Sequence, residues 1–245
     1  MQTVPVRRSA TLHEAQVAFL QALEQWVDDC MAAYGEAPVT DVHDQLTYTT
    51  AWEVVAPGRP DVLAFLKTRR DQVCRHFVDS GQWRHGYWRM HEAHHGTEHF
   101  ELFMGMMARL DPADAETRRQ IVDVAEHLGN WSADVLPWFD WDTGLYHSMF
   151  FGADGIKTDP GLELNIPDHF RCINIALIAH DLTDDRRYLD LAQRHVGRWA
   201  QAILEHELLP LGFAPSGPIN AIDATLPMSC GPIASSRAHR ATTTL

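Results

Sequence analysis

The 245-residue sequence predicts an all-α fold of stacked helical hairpins, with an inner ring of helices wrapped by an outer one. Three observations carry this expectation. Two segments that are apolar on nearly every side, 97–111 and 167–181, align at an offset of 70 residues. Each is followed by a segment that is apolar on one face only, 118–131 and 186–199. Two more one-sided periods, 10–33 and 60–79, precede them. A helix that is apolar all round needs neighbours on every side, so hairpins of this kind bury their faces by stacking on one another.

Taken in order, residues 10–33 set Leu12, Ala15, Phe19, Leu23, Trp26 and Cys30 at steps of three and four, one apolar stripe. Pro60 at a first-turn position opens a helix over 60–79 with Leu63, Leu66, Val73 and Phe77, and Gly81 follows its end. The two repeats open on Glu98-His99-Phe100 and Asp168-His169-Phe170, with Thr97 as the expected N-cap of the first and Pro167 in the first turn of the second. Met104, Met106 and Met107 read as core filler.

The outer pair place Ile121, Val124, Ala125, Leu128 and Trp131 on one face, and Leu189, Ala192, Val196 and Trp199 on another. The Arg118-Arg119 and Arg186-Arg187 pairs fall on their solvated sides. Asp142-Thr143-Gly144 between two aromatic runs predicts a short β-hairpin near 138–148. From Gly212 onward Pro, Ser, Gly and Thr dominate without a helical period. The expectation is a folded domain over 1–211 and an irregular, disordered tail over 212–245.

A net charge of −13 with no basic stripe argues against a nucleic-acid partner or an anionic membrane surface. Neither an apolar leader nor a bilayer-length apolar run is present, so a cytoplasmic protein is expected. Cys30, Cys74, Cys172 and Cys230 are far apart and form no CxxC pair, which predicts reduced thiols.

Five of the 15 histidines fall between His85 and His99, beside Trp83, Arg84, Tyr87, Trp88 and Arg89. His91-Glu92-Ala93-His94-His95 satisfies HExxH, and His95-Gly96-Thr97-Glu98-His99 satisfies the inverted HxxEH. Such motifs bind zinc because residues four apart share a helix face. With Thr97 opening the next helix, His91–His95 would lie in a loop and that geometry would be lost. No metal or other cofactor is therefore expected, a divalent ion at this cluster being the alternative.

With Glu98-His99-Phe100, Asp168-His169-Phe170 and outer helices ending at Trp131 and Trp199, the stretch 60–205 resembles the (α/α)-toroid superfamily of carbohydrate-active proteins, the six-hairpin glycosidases and related polysaccharide lyases. The long helices fall short of a closed six-hairpin ring. A partial toroid, a homo-oligomer that completes its cleft or a truncated product would each account for that.

The resemblance implies a carbohydrate substrate and a cleft at the loops that lead into the inner helices. For a uronate lyase, His94 or His95 would be the base and Tyr146 or His147 the acid, with Arg84 and Arg89 clamping the carboxylate. Trp88 and Trp141 would stack on sugar rings, and His99 and His169 would line the cleft. For a glycoside hydrolase, the paired carboxylates would come from Asp140, Asp142, Glu92, Glu98 and Asp168. The leading expectation is β-elimination on a uronate-containing glycan. A hydrolase, a non-catalytic sugar-binding fragment and a metal-dependent isomerase or dehydratase stand as alternatives.

Overall fold

A computed structural model describes residues 11–40 and 47–219. The first helix, α1 (Leu12–Tyr34), starts at a capping box in which Thr11 and Glu14 satisfy each other's backbone N–H groups. Only Val27 and Cys30 of this helix are buried, and Leu12 and Phe19 stay 87% and 64% exposed. The apolar stripe read from the sequence is thus used at its C-terminal end alone. A 3₁₀ segment (Thr47–Val54) follows and seats Trp52 in the core beside Phe65. Helix α2 (Pro60–Asp79) carries buried Arg70, whose guanidinium reaches Asp114 and, at 2.7 Å, Thr117. Asp114 is also the N-cap of a later helix, so one carboxylate caps a helix and neutralises a buried cation.

The first repeat is a single helical rod in three parts: α3 (Ala93–Glu98), a π-helical stretch (His99–Met104) and α4 (Gly105–Leu110). It starts five residues earlier than expected. Glu92 rather than Thr97 is the N-cap, accepting from His94 N–H at 3.0 Å and His95 N–H at 2.7 Å. Thr97 lies inside the helix, its hydroxyl turned back onto Ala93 O. His94 and His95 are therefore helical, while His91 and Glu92 form a strand.

After α5 (Ala115–Leu128) the second repeat runs through a 3₁₀ turn (Pro167–His169) into α6 (Phe170–Thr183), then α7 (Arg186–His206). Helix α6 packs against the first-repeat rod, α5 and α7. That central place explains its near-uniform apolarity, with Cys172, Ile173, Ile175, Ala176 and Ala179 buried. Its one open side holds Asn174, which donates to Glu101. As expected, α5 and α7 bury one face only. On α7 that face is Tyr188, Leu191, Ala192, His195, Trp199 and Ala202. His195, not the expected Val196, points inward, and Val196 is exposed.

The described residues are mostly helical, but among them four small antiparallel sheets add to the all-α expectation. They are β1 (Trp83–Arg84) with β2 (Tyr87–Trp88); β3 (His91–Glu92) with β6 (Phe150–Gly152) and β7 (Gly155–Ile156); β4 (Phe139–Asp140) with β5 (Leu145–Tyr146); and β8 (Gly212–Ala214) with β9 (Gly217–Ile219). The β4–β5 pair is the hairpin expected near 138–148, with Phe139 opposite Tyr146. Asp140 shapes its turn by accepting from Asp142 N–H at 2.8 Å and the Thr143 hydroxyl at 2.9 Å.

The β8–β9 hairpin corrects the expected irregular chain from Gly212. Asn165 and Phe213 exchange backbone hydrogen bonds at 2.8 and 2.7 Å, and the buried Phe213 ring packs edge-on against Trp199. The part of the expected tail over 220–245, Cys230 included, lies outside the described residues. Among the described residues Cys30, Cys74 and Cys172 are free thiols, and no helix is long and apolar enough to cross a membrane.

Phe213→Ala should cost about 3 kcal/mol, the usual loss for a buried aromatic ring, read from urea unfolding of the full chain. A change within a few tenths of a kcal/mol would mean that the hairpin does not belong to the folded unit.

Candidate active-site cleft

The residues named from the sequence divide into three places. The first is the core. His169 is fully buried: its Nδ1 accepts from Ile166 N–H at 3.0 Å and its Nε2–H donates to Ser148 O at 2.9 Å. Burial holds its pKa below the ordinary histidine value and outweighs the backbone bonds to Ser148 and Ile166, which act to raise it. Tyr146 stacks on this ring at 5.0 Å and is itself buried. Burial pushes its hydroxyl well above the ordinary phenol range. His99 is buried among Trp83, Phe100 and Phe103. His99 and His169 build the core and line no part of the cleft at the β4–β5 hairpin, which corrects the substrate contacts expected for them, whereas Tyr146, though buried, contributes to the wall of that cleft.

The second place is the start of α3. His94 Nδ1 lies 3.5 Å from Asp168 Oδ1, so the beginnings of the two repeats meet there. His95 pairs with Glu92 and lies beside His91, ring centroids 5.4 Å apart. The HExxH spacing does not place two histidines on one helix, because His91 belongs to β3. Strand and helix still bring potential ligand atoms of His91, Glu92 and His95 within 4.8 Å of one another, and those of His94, His95 and Glu98 likewise. The expected carboxylate clamp is not here. Arg84 pairs with Asp134 at 3.1 Å and Arg89 with Asp154 at 3.2 Å. Trp88 is half-buried against Phe77 and Trp83.

The third place is a cleft of about 700 Å³ walled by the β4–β5 hairpin, α7 and the β8–β9 hairpin. Asp140, Asp142, His147 and Glu163 line it together with Arg194 and Arg198. His147 is exposed, and its imidazole helps keep the nearby Asp140 carboxyl ionised. Burial works to raise the Asp140 pKa, but bonds from Thr143 and from the Asp142 and Thr143 amides hold it below the ordinary value. Arg194 is anchored on the turn, donating to Trp141 O at 2.9 Å and to Asp142 O. Arg198 lies over the Phe213 ring, 4.9 Å from its centroid. Trp141 sits outside the cleft and donates its indole N–H to Gly129 O at 3.0 Å.

Comparison with family models, with curated proteins and with solved structures finds no match to this chain.

Sequence reasoning named Asp140 and His147 but missed Arg194, Arg198, Glu163 and Phe213. The two arginines sit one turn apart on the polar side of α7, indistinguishable by periodicity from solvated charges. The "GFAPSGPI" stretch does carry turn residues between Phe213 and Ile219, the one local signal of the hairpin that closes the cleft.

Beneath the cleft, His195 is buried with Nδ1 against Gly144 O at 3.0 Å, and burial and the adjacent His169 push its pKa down to about 3. The unfolded chain takes up this proton near pH 6.5, whereas the folded chain resists until about pH 3. Between those values the unfolded state binds more protons, so stability falls as pH falls. The urea midpoint should drop steadily from about pH 7 to about pH 4, and less steeply in His195→Gln. Equal slopes for the two proteins would exclude His195 as a source of the acid lability.

Proposed function

We propose that this chain is a carbohydrate-active enzyme on a partial (α/α) toroid, cleaving a uronate-containing glycan by β-elimination in the cleft between β4–β5, α7 and β8–β9. The observation that carries the reading is the joint presence, in one polar cleft, of the exposed His147 imidazole and the Arg198 guanidinium stacked on Phe213. Elimination next to a carboxylate needs a base for the α-proton and a cation for the charge that builds on the carboxylate. His147 supplies the base and Arg198, with Arg194, the cation. The bond to the α-hydrogen and the bond to the leaving oxygen break as a double bond forms, and protonated His147 returns its proton to that oxygen. The Asp140 carboxylate stabilises the imidazolium between the two transfers. A hydrolase would instead need a protonated carboxyl, and Asp140 is held ionised.

The test is turnover of uronate oligosaccharides, followed by the ultraviolet absorbance of the unsaturated product alongside reducing ends. His147→Ala should lower kcat by about two orders of magnitude. Arg198→Ala should raise KM by about tenfold or more, the value of a charge-assisted contact. Reducing ends without absorbance would identify a hydrolase, and binding without turnover a sugar-binding module.

The contact between His94 and Asp168 supports a second reading, with His94 as the base at the start of the repeats. An active His147→Ala beside an inactive His94→Ala would move the chemistry there.

A further inference from the structure

Away from the cleft, the β1–β2 turn, α5 and the loop after it bring two imidazoles and two carboxylates together. His85 sits in the turn with a left-handed backbone, φ 54°. Its ring stacks on that of His127, centroids 4.3 Å apart and planes 29° apart. Potential ligand atoms of His85, Asp123 and His127 lie within 4.8 Å of one another.

The hydrogen-bond arithmetic of this group does not close with neutral histidines. Both Nδ1 atoms face Asp123: His85 Nδ1 is 3.0 Å from its Oδ1 and His127 Nδ1 is 2.8 Å from its backbone O. An oxygen that only accepts requires each Nδ1 to carry the proton, which leaves each Nε2 with a lone pair. Both Nε2 atoms face one carboxylate, Asp134, at 2.6 Å from His85 and 3.1 Å from His127. The shorter contact is buried on the His85 side and lacks hydrogen-bond alignment. Arg84 donates to Asp134 Oδ2 at 3.1 Å and the Ser132 hydroxyl to Oδ1, but neither supplies a proton to the ring nitrogens, so two lone pairs still face carboxylate oxygens. Protonating one ring satisfies one contact and leaves the other ring's lone pair against the carboxylate, and protonating both would put two cations face to face at 4.3 Å. A single divalent ion meets the need without that repulsion.

We propose that His85 Nε2, His127 Nε2 and the Asp134 carboxylate bind a divalent transition-metal ion of the zinc class, with Asp123 orienting both rings through their Nδ1–H groups. Two imidazoles and a carboxylate are a zinc ligand set, and a Nδ1–H held by a carboxylate or carbonyl is the usual support for a metal-bound histidine. Ligands about 2.0–2.1 Å from a tetrahedral ion stand about 3.3 Å apart. The 3.1 Å contact already fits, and the 2.6 Å contact opens on binding. The ion would join the β1–β2 turn to α5 and to the loop at Asp134. The site does not depend on the glycan reading.

The experiment is calorimetric titration of the chelator-treated full chain with Zn²⁺, repeated with Co²⁺ to record its visible absorption. His85→Asn, which tolerates the left-handed backbone, and Asp134→Asn are compared with the parent after circular dichroism confirms their fold. His95→Ala removes the competing histidine group at α3. The expected result is one ion bound by the parent and by His95→Ala, with affinity reduced about tenfold to a hundredfold or more in the other two variants. Should those variants misfold, titration of the parent in two buffers of different ionisation heat still decides between ion and protons. Failure of the parent to bind Zn²⁺ overturns the proposal, as does binding lost in His95→Ala but kept in His85→Asn and Asp134→Asn.

Discussion

The arrangement depends on one buried imidazole. His169 accepts a backbone proton from Ile166 and gives one to Ser148, so it joins the start of the central helix to the chain leaving the β4–β5 hairpin. Apolar packing alone would leave Ser148 O without this donor, and an unpaired backbone group in a dry core costs about 1–3 kcal/mol. With that join made, Tyr146 stacks on the ring and the hairpin lies against the inward face of α7, where Gly144 O meets His195. The wall carrying Asp140 and His147 is thereby set opposite Arg194 and Arg198.

The same join explains why the cleft lies apart from the histidine-rich stretch. Strand β3 pairs His91 and Glu92 with Phe151 and Phe150, and Ala93 N–H donates to Met149 O at 2.8 Å. His94 and His95 therefore stand at the start of the rod, while the β4–β5 hairpin turns toward α7. Histidines that crowd a short length of sequence thus serve three different surroundings. His99 packs in the core, His94 and His95 sit among carboxylates at a helix start, and His85 stacks on His127 across the fold.

Charge follows the same logic. The arginines expected to clamp a substrate, Arg84 and Arg89, are held by Asp134 and Asp154, whereas Arg198 is held by an aromatic ring and keeps its charge for the cleft. An acidic protein can still present a cation to an anionic ligand where local pairing leaves one, because charges beyond about a Debye length are screened.

What the sequence determined by itself was local and periodic. Steps of three and four placed the helices, the contrast between all-round and one-sided apolarity separated α6 from α5 and α7, and Asp142-Thr143-Gly144 located the β4–β5 turn. The tertiary structure alone decided the start of α3, since Glu92 could cap it only once β3 had paired with β6 and fixed the direction of the chain. It also decided which face of α7 turned inward, because Gly144 O selected His195 over Val196. It ordered residues 212–219 through Asn165 and assembled the cleft and the His85–His127 group from segments far apart in the chain. Those outcomes depend on contacts between distant residues, and no hydrophobic period or turn signal records a partner tens of residues away.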